Sequence, residues 1–151
     1  MSEHDVVRIT ADDLVDGEYA VSDDLIVDSN IEISADLGTV RFRGNLVARA
    51  GIRALTGSGI EAGEGIEAGW GIEAGWGIKA GRGIKAGWGI EAGEGIEAGW
   101  GIEAALAISA KWLDCRLRIF AGLVNWRLPR RGDEEIRGEI RLGTIANGRQ
   151  V

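Results

Sequence analysis

The sequence contains one cysteine, one histidine and one proline among 151 residues. Cys115 has no partner for an intrachain disulfide, and the polar, acidic first residues do not resemble a secretory leader, so we expect a cytoplasmic protein. No apolar run approaches the roughly 18 residues of a membrane-spanning helix, which predicts no membrane insertion. Collagen is excluded because proline is rare and glycine does not fall at every third position.

Arrangements of residues that are typical of catalysis or metal binding are scarce as well. His4 lies at the start of the chain, which leaves the body without a base for a histidine-dependent triad. No cluster of side chains has metal-ligand spacing, and the glycine-rich run lacks the Gly-Lys-Ser/Thr of a phosphate loop. The sequence therefore predicts a protein that is not an enzyme and has no cofactor.

Acidic residues outnumber basic ones, with a net charge of -7. The balance is -6 for residues 1–58, -4 for residues 59–112 and +3 for residues 113–151. An acidic protein does not wrap nucleic acid through a general basic surface, so direct nucleic-acid binding is not expected.

From Gly59 to Trp112 the chain repeats every six residues, in units such as GIEAGE, GIEAGW and GIKAGR. Isoleucine always holds the second place and alanine the fourth, with a charged residue or serine between them. This alternation is typical of a short, half-buried strand, and the flanking glycines supply corners. A helix is disfavoured because each interior glycine would cost about 1 kcal/mol. The fixed Ile-x-Ala register also argues against a flexible linker.

Charge indicates how many units form one coil. Three units per coil place Lys79 between Glu61 and Glu97 on neighbouring coils, whereas two units per coil would place Glu61 on Glu73. The sequence therefore predicts an all-β, single-stranded β-solenoid, triangular in section, with about 18 residues per coil and seven or eight coils. We expect one continuous domain with an acidic N-terminal cap and irregular coils (1–58), regular coils (59–112) and C-terminal coils with a cap (113–151).

The units resemble those of hexapeptide-repeat β-solenoid proteins. The run followed by Lys111-Trp112-Leu113 and by Trp126-Arg127-Leu128-Pro129 resembles uncharacterised bacterial and phage proteins with GxIxAG repeats. This resemblance implies a fold without a settled activity. Left-handed hexapeptide acyltransferases have a small residue at the position that here holds Trp, Glu or Arg. The difference leaves handedness open and favours a right-handed coil, as in bactofilin-like solenoids.

The sixth place of the unit is variable, and charged residues share it with tryptophan, so it should face outward. The 18-residue coil places Trp70 beside Trp88, and Trp76 in a column with Glu94 and Trp112. Exposed indoles beside charges are typical of protein interfaces. An alternative is that the indoles only shield glycine-rich corners. The candidate partner-binding residues are Trp70, Trp76, Trp88, Trp100, Glu64, Arg82 and Glu94.

Two functions remain open from the sequence. The first is a non-enzymatic protein-binding module; the phage resemblance implies an inhibitor of a host defence protein, anti-CRISPR-like or a nucleic-acid mimic. Lys79, Arg82 and Lys85 interrupt the acidic columns, which favours solvated faces that set the stacking register over phosphate mimicry. The alternative function is a structural solenoid that self-assembles into a homo-oligomer, filament or scaffold, as bactofilin-like proteins do.

Overall fold

The computed structural model describes residues 5–151, and His4 lies outside the described residues. The regular secondary structure of this part of the chain consists of β-strands and one 3-10 turn at Ala11–Asp13. Its strands are β1 (Val6–Ile9), β2 (Leu14–Val15), β3 (Glu18–Tyr19), β4 (Leu25–Val27), β5 (Asn30–Ile33), β6 (Gly38–Phe42), β7 (Leu46–Ala48), β8 (Ile52–Ala54), β9 (Ser58–Ala62), β10 (Ile66–Ala68), β11 (Ile72–Ala74), β12 (Ile78–Ala80), β13 (Ile84–Ala86), β14 (Ile90–Ala92), β15 (Gly95–Ala98), β16 (Ile102–Ala104), β17 (Ile108–Phe120), β18 (Glu135–Asn147) and β19 (Arg149–Gln150).

Apart from β2, which pairs antiparallel with β3, the strands stack in parallel on three faces of a solenoid. Face 1 contains β3, β6, β9, β12 and β15. Face 2 contains β4, β7, β10, β13 and β16. Face 3 contains β1, β5, β8, β11 and β14. This confirms the predicted β-solenoid, but it has about 6 turns rather than seven or eight. The pairing leaves the predicted right-handedness untested.

The regular coils have the predicted length. Ile60 lies opposite Ile78, and Ile78 lies opposite Ile96, so that each coil consists of three repeat units. The preceding coil is two residues longer, since Val40 lies opposite Ile60. The extra residues fall before β9, where Gly57 has a φ of 80° and buried Ser58 accepts a hydrogen bond from the Leu37 amide at 3.0 Å.

The C-terminal coils depart from this length, and their strands are longer. β17 and β18 each have 13 residues and cross all three faces. Leu113 lies opposite Ile96, which makes this coil one residue shorter than the regular coils. Ile108 pairs with Ile136 because a loop at residues 121–134 lengthens the last full coil. In that loop Arg127 binds Asp133 through two hydrogen bonds, of 2.8 and 3.1 Å, which lower the pKa of the Asp133 carboxyl.

The core consists of columns of isoleucine and alanine. The isoleucines of the regular units, from Ile60 to Ile108, are at most 1% exposed, and the alanines from Ala62 to Ala104 are buried beside them. Truncating one such isoleucine to alanine typically costs about 2–5 kcal/mol. At the N-terminal end the filling changes to aromatic rings, with Tyr19 and Phe42 at a centroid distance of 5.3 Å. The interior is therefore mainly apolar along the described length, and Ser29 and Ser58 are the polar residues buried in it.

The two glycines of a unit have different roles. A Cβ on Gly87, at the fifth place, would overlap the carbonyl oxygen of Gly69 on the preceding coil. A Cβ on Gly83, at the first place, would lie 3.6 Å from the carbonyl oxygen of Gly101, an ordinary contact. The fifth-place glycine therefore permits close stacking of the regular coils. At the first place Gly83 has room for a methyl group, whereas at Gly89 and Gly101 a carbonyl oxygen lies 2.8–2.9 Å from the Cβ position.

We expect Gly87→Ala to lower the free energy of unfolding by about 1–3 kcal/mol, because a backbone carbonyl must move to admit the methyl group. Gly83→Ala should leave it unchanged or raise it by up to about 1 kcal/mol through reduced entropy of the unfolded chain. Urea denaturation followed by far-ultraviolet circular dichroism measures both. Equal stability of the two variants would contradict the assignment.

Candidate protein-binding surface

The seven candidate residues lie on three different edges of the prism. Edge A, between faces 1 and 2, contains Glu64, Arg82 and Trp100. Edge B, between faces 2 and 3, contains Trp70, Trp88 and Leu106. Edge C, between faces 3 and 1, contains Trp76, Glu94 and Lys111. Along each edge the backbone amide of one residue donates to the carbonyl of its neighbour on the adjacent coil, at 2.8–3.2 Å.

The predicted outward orientation holds for these positions. Trp76, Trp88 and Trp100 are 45%, 46% and 55% exposed, and Trp70 is half-buried. Candidates on the same edge lie on adjacent coils, whereas candidates on different edges lie on different sides of the solenoid. A partner that contacts all four indoles would therefore have to surround the solenoid.

The predicted column of Trp76, Glu94 and Trp112 is wrong at its last member. Because the coil after Glu94 is one residue shorter than a regular coil, Lys111 takes the position above it, and Lys111 Nζ lies 3.3 Å from Glu94 Oε1. Trp112 instead lies opposite Gly95, and the Arg141 guanidinium lies 4.6 Å from the centroid of the Trp112 ring.

Edge A pairs its own functional groups. Arg82 Nη2 lies 3.7 Å from Glu64 Oε1, and the Arg82 guanidinium lies 5.4 Å from the Trp100 ring centroid. Asn45 Nδ2 donates to Glu64 Oε2 at 2.8 Å. The carboxylate, the guanidinium and the indole on this edge therefore interact with one another within the chain.

Edge B is apolar. The rings of Trp70 and Trp88 stack with a centroid distance of 5.1 Å and an angle of 5° between their planes. This distance is close to the spacing of about 4.8 Å between neighbouring strands, so the ladder itself holds the rings in stacking contact. Leu106 extends the apolar column by one coil. The result is a hydrocarbon strip along a rigid backbone.

A groove of about 690 Å³ runs along face 3 beside edge B. The side chains of Trp70, Trp88 and Leu106 line one side, and the outward side chains of β8, β11 and β14 line the other. Glycines of the corner lie between them, so no side chain of the described residues fills this space. The lining includes Trp70, Trp88, Arg53, Glu73 and Glu91.

The outward columns of the three faces differ in charge pattern. On face 1, Glu61, Lys79 and Glu97 alternate, and Lys79 Nζ lies 3.5 Å from Glu97 Oε2. On face 3, Glu73 lies directly opposite Glu91. The three-unit register, inferred because it pairs opposite charges, therefore also creates a like-charge pair. The sequence contained this signal, since these glutamates are three repeat units apart.

The two carboxylates of this pair have little compensation. Arg53 Nε approaches Glu73 Oε2 only to 4.0 Å, at the limit of an ion pair. Within residues 5–151 the Glu91 side chain makes no hydrogen bond or ion pair, and the residue opposite it on the next coil is Ser109. Glu73 and Glu91 therefore make the groove wall negative.

Cys115 and the acidic side chains of residues 5–151 were compared with the requirements of nucleophilic and metal sites. Cys115 is buried, and desolvation raises the pKa of its thiol. Within the described residues no three Cys, His, Asp or Glu side chains are close enough to hold a metal ion. No helix in residues 5–151 has the length and apolar character to cross a membrane.

Comparison of the chain with protein-family models, with curated proteins and with solved structures found no match. The resemblance to hexapeptide-repeat and phage proteins therefore depends on the repeat and the segment that follows it, while the solenoid fold is established by the strand pairing.

We expect Glu91→Lys to stabilise the protein by about 0.2–1 kcal/mol at low ionic strength, because it places opposite charges across the ladder from Glu73. Glu61→Lys makes the same change of net charge but faces Arg41 and Lys79, so it should destabilise. Thermal unfolding of both variants at low and high salt measures the effect. A loss of stability in Glu91→Lys would contradict this explanation.

Proposed function

We propose that this chain is a non-enzymatic protein-binding module and that edge B with its groove is the contact surface. The observation that supports the proposal is the stacked pair Trp70–Trp88 beside an open groove of about 690 Å³. Large indoles with few rotatable bonds lose little entropy on binding, and the regular ladder fixes their position before a partner arrives. Edge A has its charged groups already paired, which makes it a weaker candidate.

The resemblance to phage proteins adds a finer prediction. It implies that the partner is a host defence protein and that binding inhibits it, in the cytoplasm. This stays a prediction, and the experiments below do not presuppose it.

A Trp70→Ala/Trp88→Ala variant should lose its protein partner, because the substitution removes the apolar strip of edge B. The variant Trp76→Ala/Trp100→Ala removes two indoles from the other edges and should retain the partner. Affinity capture from an extract of the native host, with crosslinking and mass spectrometry to locate contacts, compares them with the wild type. Equal recovery by all three proteins would disprove binding through edge B.

A second candidate function is end-to-end self-association, and the last coil favours it. β18 pairs with β17 on one side, and β19 covers only Glu135 and Ile136 on the other. Within residues 5–151 no strand pairs with the remaining outer edge, from Glu139 to Asn147. An uncovered strand edge can pair with another chain. Leu142 on this coil is 51% exposed.

If this edge mediates assembly, the wild type should increase in mass with concentration, and Leu142→Lys should remain monomeric because charge blocks edge pairing. Leu117→Lys is the matched control, since Leu117 is 59% exposed on edge A of β17. Size-exclusion chromatography with light scattering over a concentration series measures the mass. A wild type that stays monomeric at all concentrations would exclude self-association.

A further inference from the structure

The groove on face 3 combines an apolar wall with a negative wall. The stacked rings of Trp70 and Trp88 form the first. Glu73 and Glu91, opposite each other and poorly compensated, form the second. A guest that satisfies both walls needs a cationic head for the carboxylates and a hydrocarbon stem or flat surface for the indoles.

Edge A displays this combination within the chain itself. There the Arg82 guanidinium lies between the Glu64 carboxylate at 3.7 Å and the Trp100 ring at 5.4 Å. The face 3 groove has the carboxylates and the indoles, but within residues 5–151 no arginine lies between them. Arg53 reaches only Glu73, the far end of the glutamate pair. An arginine supplied by another molecule would complete the same arrangement.

We infer that the face 3 groove binds an extended, arginine-bearing segment of a partner protein. The inference rests on the proposed function and specifies the chemistry of the partner. Arginine suits the site because its planar head binds carboxylates through two donors and packs against aromatic rings, while its methylene stem covers apolar surface. The glycine-rich corners between the walls leave room for the partner's main chain.

The charge pattern supports this assignment independently. Glu73 and Glu91 oppose each other, whereas at the same height Lys79 faces Glu97 and Lys85 faces Glu103, so this pair lacks the attraction across the ladder that the other two faces have there. Residues that lower stability without a structural gain are typical of binding sites, where the partner supplies the compensation. A bound arginine would turn the repulsion between the two carboxylates into attraction for the guest.

The probe is a fluorescein-labelled peptide of alternating glycine and arginine, acetylated and amidated at its ends. Its counterpart carries citrulline, which keeps the shape of arginine without the charge. Fluorescence anisotropy at low ionic strength should show binding of the arginine peptide and at least about tenfold weaker binding of the citrulline peptide, as expected for the loss of two charge pairs. In nuclear magnetic resonance spectra the indole N–H signals of Trp70 and Trp88 should shift, and that of Trp76 should not.

Two variants with the same net charge locate the contact. Glu73→Gln/Glu91→Gln should weaken binding of the arginine peptide about tenfold, since it removes both carboxylates of the groove. Glu61→Gln/Glu97→Gln removes two carboxylates from face 1 and should bind as the wild type does. Equal weakening in both variants would indicate unspecific attraction by net charge and would overturn the inference.

Two further outcomes would also overturn it. Citrulline and arginine peptides that bind equally would indicate an apolar guest. Self-association that is lost in Glu73→Gln/Glu91→Gln would assign the groove to a second copy of this chain. The proposed function is tested separately, because capture that depends on Trp70 and Trp88 without arginine-peptide binding would retain the protein-binding function and reject only the cationic guest. Binding of the arginine peptide without capture that depends on Trp70 and Trp88 would retain the cationic guest and reject the proposed protein-binding function of edge B.

Discussion

The in-register stacking of coils built from three repeat units determines most of this structure. Each residue of a regular coil has the same position of the next coil about 4.8 Å away, so every side chain meets its own equivalent. Isoleucine columns fill the interior for this reason. The fifth-place glycines from Gly63 to Gly99 have a carbonyl group of the preceding coil close to the position that a Cβ would take. The same rule sets the outer surface, where lysine alternates with glutamate and two indoles stack face to face.

The regular part of the fold could be predicted from the sequence because its signal is periodic. The invariant Ile60-x-Ala62 pattern specifies which side chains are buried, and Lys79 between Glu61 and Glu97 specifies the length of a coil. The two residues that lengthen the coil before Ile60 also interrupt the six-residue spacing of the sequence. The buried positions and the length of a coil follow from the spacing of residues alone, without knowledge of any long-range contact.

The rest of the structure depends on departures from the six-residue period. A prediction from the pattern assumes that the period continues, so it fails where the period changes. The position of Trp112 was wrong because a single residue is missing from the coil that precedes it, and no local motif marks that omission. The groove of face 3 was missed because a groove results from the geometry of two neighbouring columns, whereas sequence analysis compares positions within one column. The like-charge pair of Glu73 and Glu91 follows from the same three-unit register, but that register was inferred only from the pairs of opposite charge.

The close equivalence of the coils has an evolutionary consequence. Because each regular coil offers its neighbours the same isoleucine, alanine and glycine pattern above and below, an in-frame duplication or deletion of three whole units would create no new kind of pairing. The length of the solenoid is therefore free to vary by whole coils through recombination between repeats. Surface features that span two coils, such as the stacked indoles of Trp70 and Trp88, would be separated or multiplied by the same event. Recombination can therefore change the surface of the protein while its interior stays the same.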